Sequence, residues 1–159
     1  RKKVEEAVSR ISAINSEIEV EGLPVMVDAD NATTLLTGVD IVVDCLDNFT
    51  ARLQVGHAAT QLDIPLIHGA IAGFTGQVTT IFPGDKSLDL IYKSSPQSDR
   101  GIEVVLGNPA TTPALAASLQ AQEVIKVITG IGEPLRHKLL YFDLEYNIFD
   151  IFELAGKEE

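Results

Sequence analysis

The sequence predicts an α/β fold, a partial Rossmann-like (doubly wound) parallel sheet followed by a mixed, antiparallel extension that ends in a hairpin. Three observations predict it. Ile41–Cys45 is a β-branched run that reads as a strand buried on both faces of a parallel sheet. Thr50–Leu62 reads as a helix and Pro65–His68 (PLIH) as a second short strand, so strand, helix and strand alternate. After Gly76 the pattern changes: Gln77–Phe82 is a strand closed by Pro83 and Gly84, and Leu139–Leu144 and Ile148–Leu154 flank EYN as a hairpin.

The remaining elements follow in order. Val4, Ala7, Val8, Ile11 and Ile14 recur at helical spacing, so Lys2–Ile14 is an amphipathic helix that Asn15 ends. Glu17–Val27 alternates loosely as a strand, broken by Gly22 and Pro24. Asn31 caps a short helix through Leu36, closed by Gly38. Asp85–Gly107 is a long stretch rich in Ser, Asp and Gly, read as a mobile crossover loop. Thr112 with Pro113 marks the start of an Ala-rich helix that runs to Ile128 and stops at Gly130. These 159 residues form a single domain, with 1–75 as the rear of a nucleotide-binding sheet and 76–159 as the mixed extension.

Composition narrows the function. A net charge of −11 lacks the clustered basic surface that nucleic-acid binding requires. No apolar run reaches the roughly 18 residues of a membrane helix, and no secretory signal is visible, which makes a cytoplasmic location the expectation. One cysteine, Cys45, excludes an internal disulfide and reads as a small buried hydrophobe inside a strand. His57, His68 and His137 are scattered without cysteines or carboxylates at ligand spacing, so no zinc site is expected, although His68 at a strand end could line a cleft.

The chemistry gathers in DIVVDCLDNFTAR, Asp40–Arg52. Ligands of doubly wound folds sit beyond the carboxyl ends of the strands, where Asp44 and Asp47 fall. The bland alternative is that Asp47 and Asn48 cap the next helix. Arg1, Lys2 and Lys3 put positive charge in a first helical turn, against the helix dipole, which makes sense beside a bound anion or on a solvated face. Gly69, Gly73 and Gly76 permit close approach of backbone to a ligand or peptide tail, or satisfy sharp turns.

Four blocks in order, KVEEAVSRISAIN, DIVVDCLDNFTAR, PLIHGAIAGFTGQV and ASLQAQEVIKVITG, resemble the ThiF/MoeB/HesA family of ubiquitin-activating-enzyme-like adenylyltransferases. The resemblance implies ATP and Mg²⁺ as cofactors. It also implies adenylation of the C-terminal glycine of a small ubiquitin-like sulfur-carrier protein (thiamin or molybdenum cofactor type), and a homodimer. By position, Asp47 resembles the family's metal-holding aspartate and Lys3 its phosphate-contacting lysine. Asp44 resembles a supporting neighbour, oriented by Asn48 or the loop backbone.

The chain also departs from the family. The glycine-rich phosphate loop and first strand would lie upstream of Arg1, so the piece is expected to be inactive alone and to expose a sheet edge that invites another copy. The zinc-holding C-x-x-C pairs are absent, with LIYKSSPQSDR in the first of those regions, and Glu103 falls near the position of the family's covalent cysteine. A non-catalytic scaffold that dimerises or docks the carrier is the alternative. A nicotinamide-dependent oxidoreductase is a further one, without its fingerprint in the sequence.

Overall fold

The structure, a computed structural model, describes residues 3–92 and 107–154. Helix α1 (Lys3–Ile14) and the short α2 (Ala32–Leu36) lead into strand β1 (Val42–Asp44) and helix α3 (Phe49–Gln61). Strands β2 (Leu66–Ala72) and β3 (Thr75–Ile81) follow, then α4 (Ser87–Tyr92). Helix α5 (Thr111–Thr129) and strands β4 (Lys138–Asp143) and β5 (Ile148–Glu153) complete the described residues. The strands form one sheet in the order β1-β2-β3-β4-β5. Only β1 and β2 are parallel; every later pair is antiparallel. The fold is thus mixed α/β. The β2–β3 hairpin runs across residue 75, so the residues before and after it share one sheet.

The layers follow from which side chains each strand turns to each face. On one face, Val42, Leu66 and Ile81 pack with Val55 and Ala59 of α3, Ile64 and Leu88. On the other face α5 lies across β2 and β3 and buries Ala116. Small residues set its closeness. A Cβ on Gly69 would sit 2.5 Å from the Gln120 side chain of this helix; within the sheet, one on Gly76 would sit 2.2 Å from the ring of Phe142 on β4. These two glycines therefore serve packing. Gly73, at φ 59°, occupies the first position of the two-residue β2–β3 turn, a conformation that favours glycine.

Several elements differ from expectation, each for a physical reason. Residues 17–27 are not a strand: they lie along α1, with Gly22 tight against Val4 and Val8, and find no strand to pair with. β1 is not buried on both faces, because α5 covers β2 and β3 and leaves Val43 43% exposed at the sheet edge. β2 runs past Gly69 to Ala72, since its partner β3 continues the ladder to Thr75. Ser87–Tyr92 forms α4 within the stretch read as a loop; residues 93–106, including Glu103, lie outside the described residues. α5 begins at Thr111 with Pro113 inside its first turn, where a missing N–H costs nothing, and ends on Gly130 at φ 68°.

Candidate active site at the end of β1

β1 ends at Asp44 and α3 begins at Phe49, so Cys45–Asn48 form a short loop at the carboxyl end of the strand. Both sides of this loop are fixed. Asn48 adopts an extended N-cap conformation and its side chain accepts a hydrogen bond from Ala51 N at 2.8 Å. On the other side the Leu46 N–H donates to Asp44 Oδ1 at 2.9 Å, while its carbonyl accepts from Arg52 Nη2. Asp47 stands between these anchors. It is exposed, and its carboxylate makes no hydrogen bond or ion pair among the described residues.

Beneath the loop lies a buried polar ring. Asp44 is 2% exposed and His68, its register partner on β2, is fully buried. His68 Nδ1 lies 2.7 Å from Asp44 Oδ2 and Nε2 lies 3.0 Å from the Tyr92 hydroxyl. Arg52 Nη1 donates to that hydroxyl at 2.8 Å, and Arg52 Nε lies 2.9 Å from Asp44 Oδ2. Burial lowers the pKa of His68 and keeps it neutral. Burial alone would raise that of Asp44, but the His68 hydrogen bond and the Arg52 charge outweigh it and hold Asp44 below the usual carboxylate value. Only one set of proton positions then satisfies the ring: Arg52 donates to Tyr92, Tyr92 to His68 Nε2, and His68 Nδ1–H to Asp44. From the other face of the sheet, Gln120 of α5 donates to the Asp44 backbone carbonyl at 2.8 Å.

The four residues singled out by the sequence therefore take different places. Asp47 is open. Asn48 spends its side-chain oxygen on the helix cap. Asp44 accepts from the loop backbone at Leu46, and its oxygens are already engaged beneath the surface. Lys3 is exposed at the start of α1, in a turn that also carries Glu5 and Glu6, and no hydrogen bond or ion pair joins it to the other three among the described residues. Arg52, Tyr92 and Gln120 join the site without any role expected from the sequence. The signal for His68 was its register: it stands in PLIH where Asp44 stands in VVD, at the same level of adjacent parallel strands. It lies under the loop rather than lining a cleft.

Cys45 is not the buried hydrophobe expected. It falls one residue beyond β1 and is exposed, with its thiol 3.8 Å from Gln120 Oε1. Partial burial of the sulfur and the Asp44 charge raise its pKa, which disfavours the nucleophilic thiolate. No group of three or more His, Cys, Asp or Glu side chains stands at metal-holding distance among the described residues. Asp47 nevertheless fits a hard cation that arrives with phosphate oxygens and its own waters, since such an ion asks one free carboxylate of the protein. A cavity of about 40 Å³, lined in part by Gly56, Leu66, Ile81 and Leu88, sits at the opposite end of these strands and is too small for a nucleotide.

Residues 1–159 match the ThiF family throughout. The chain belongs to the ThiF family. Among curated relatives it is 36% identical over 143 residues to the heterocyst protein HesA of Trichormus variabilis, covering 89% of this chain and 52% of HesA. It is 37% identical over 144 residues to the sulfur carrier protein adenylyltransferase of Thermus thermophilus, covering 86% of this chain and 53% of that protein. The chain thus spans about half the length of these ThiF-family relatives. In fold it is similar to Escherichia coli MccB solved with ATP, at a TM-score of 0.70 and 21% identity, over 99% of this chain and 49% of that one. No helix among the described residues is long and apolar enough to cross a membrane.

Proposed function

We propose that this chain supplies the metal–phosphate platform of an ATP-dependent adenylyltransferase, which in its full-length form activates the C-terminal glycine of a small ubiquitin-like sulfur-carrier protein. One observation carries the reading: an exposed carboxylate, Asp47, without a partner among the described residues, held at a strand's carboxyl end in a loop fixed on both sides. Family membership and the sulfur carrier protein adenylyltransferase of Thermus thermophilus support the choice of reaction. The Mg²⁺ ion, a homodimer and a cytoplasmic location belong to the same proposal and rest on the family resemblance.

Each residue has a limited task. Asp47 would hold the Mg²⁺ that accompanies ATP; when bound, the metal neutralises charge on the phosphate oxygens. Lys3 adds positive charge toward the phosphates. Asn48 keeps the first turn of α3 intact, and Asp44 acts only through Leu46, by orienting the peptide that precedes Asp47. Their shared effect is placement: a carboxylate whose backbone does not reorganise spends less free energy on binding. The test is carrier-dependent ATP–pyrophosphate exchange by the full-length protein. Asp47→Asn, which keeps size and removes charge, is expected to lower exchange by about 100-fold or more. Exchange at the wild-type rate removes the role assigned to Asp47.

A further inference from the structure

The polar ring beneath the loop is an expensive way to fill space. Apolar side chains of similar volume would pack there at equal or lower cost, because a buried ion pair loses its hydration. What the ring does that apolar groups would not is hold Leu46. Asp44 Oδ1 accepts from the Leu46 N–H and Arg52 Nη2 donates to its carbonyl, so both residues of the ring's ion pair also hold the residue before Asp47. Tyr92 completes the grip from the other side. Its ring meets Phe49, two residues after Asp47, edge-on at 5.1 Å, while its hydroxyl sits between Arg52 and His68. Tyr92 is the last residue of α4, a different segment of the chain.

We propose that Tyr92 and Arg52 are positioning residues for Asp47: the seating of α4, passed through the Arg52–Tyr92–His68–Asp44 ring, sets where the Asp47 carboxylate stands and so sets metal affinity. The inference rests on the reading of Asp47 as the metal-holding residue. Removing the Tyr92 hydroxyl leaves Arg52 Nη1 and His68 Nε2 without their partner and frees the guanidinium to swing off Leu46. The ring packing on Phe49 and His68 stays, since phenylalanine keeps the same shape.

The test is Mn²⁺ binding to the full-length protein with a non-hydrolysable ATP analogue, followed by electron paramagnetic resonance, beside melting curves without metal. Tyr92→Phe is expected to weaken Mn²⁺ by about tenfold, and Arg52→Met by up to about 100-fold, as for groups that orient a metal ligand. Arg52→Lys, which keeps the charge beside Asp44 but loses the fork, is the second variant should Tyr92→Phe fail to fold; it is expected to fall between the two. A purely structural ring would lower the melting temperature and leave the affinity of the folded protein unchanged, which overturns the inference. Asp47→Asn is measured alongside. Loss of Mn²⁺ there with unchanged affinity in Tyr92→Phe and Arg52→Lys overturns the positioning role alone; retention there overturns the metal reading and this inference with it.

Discussion

The molecule buries two acidic residues in contact with α5, one on it and one reached only through its backbone carbonyl, and it uses them differently. Asp44 ends β1 with its carboxylate toward Arg52 of α3 and its backbone carbonyl accepting from Gln120 of α5; Glu123, one turn further along α5, reaches down to β3. Glu123 is 2% exposed and accepts from the Thr80 hydroxyl at 2.6 Å and the Leu135 N–H at 2.7 Å, with Lys126 on its other oxygen. Its bonds to Thr80 and Leu135 fasten the helix to β3 and to the segment entering β4, while Lys126 braces it from the same helix. Asp44 has as many partners, yet they converge on a loop that leaves one neighbouring carboxylate open. The difference is that a buried acid acquires functional meaning from what its partners hold, rather than from its own burial.

Breaking the Glu123 cluster should give the largest loss of stability and spare the metal. Glu123→Ala leaves Lys126, Thr80 and Leu135 without their shared acceptor, and a loss of about 3–5 kcal/mol is expected for a broken buried pair, read by urea unfolding. Mn²⁺ affinity of the folded fraction should be unchanged. A fall in affinity comparable to that of Arg52→Met would erase the distinction between the two regions.

A smaller effect is expected where the two regions share a wall. Gly69→Ala drives a methyl group into Gln120, which is held by Asp44 O and cannot retreat freely, for a cost of about 1–3 kcal/mol. Gln120→Ala in the same chain makes room, so the double variant should lose less than the sum of the single ones. Additive losses would mean that Gln120 is not what confines Gly69.

The smallest effect is a pH slope confined to the ring. Both His68 and Asp44 have folded-state pKa values below their ordinary 6.5 and 3.8, so the unfolded chain binds more protons and stability falls with falling pH. The His68 contribution is present above about 6.5 and is lost progressively below it. That of Asp44 follows only below the carboxylate range. His68→Gln should flatten the fall of the unfolding free energy as the pH drops below about 6.5. An unaltered slope in His68→Gln would place the titrating group elsewhere.

Much of this was legible in the sequence, and the misses have a common cause. Periodicity located α1, α3, α5 and the terminal hairpin, because each is decided by local pattern. Asp47 and the Asn48 cap were legible because a strand end and a helix start adjoin in DCLDN. The Asp44–His68 pair required register, which PLIH and VVD imply only once β1 and β2 are known to be parallel. Arg52 had a weak signal, one turn beyond Asn48 on the same side of the helix. Tyr92 and Gln120 had none, since they arrive from segments 40 and 76 residues away from their partners. The exposed Val43 departs from expectation for a related reason: a β-branched strand has the pattern of a central one even where it ends the sheet.

The most direct measurement is Mn²⁺ titration of full-length wild-type and Asp47→Asn protein with an ATP analogue, at a temperature where both are folded. Loss of at least about tenfold in affinity at unchanged stability is the expected result. Equal affinity in the two proteins would show that the open carboxylate at the end of β1 holds no metal.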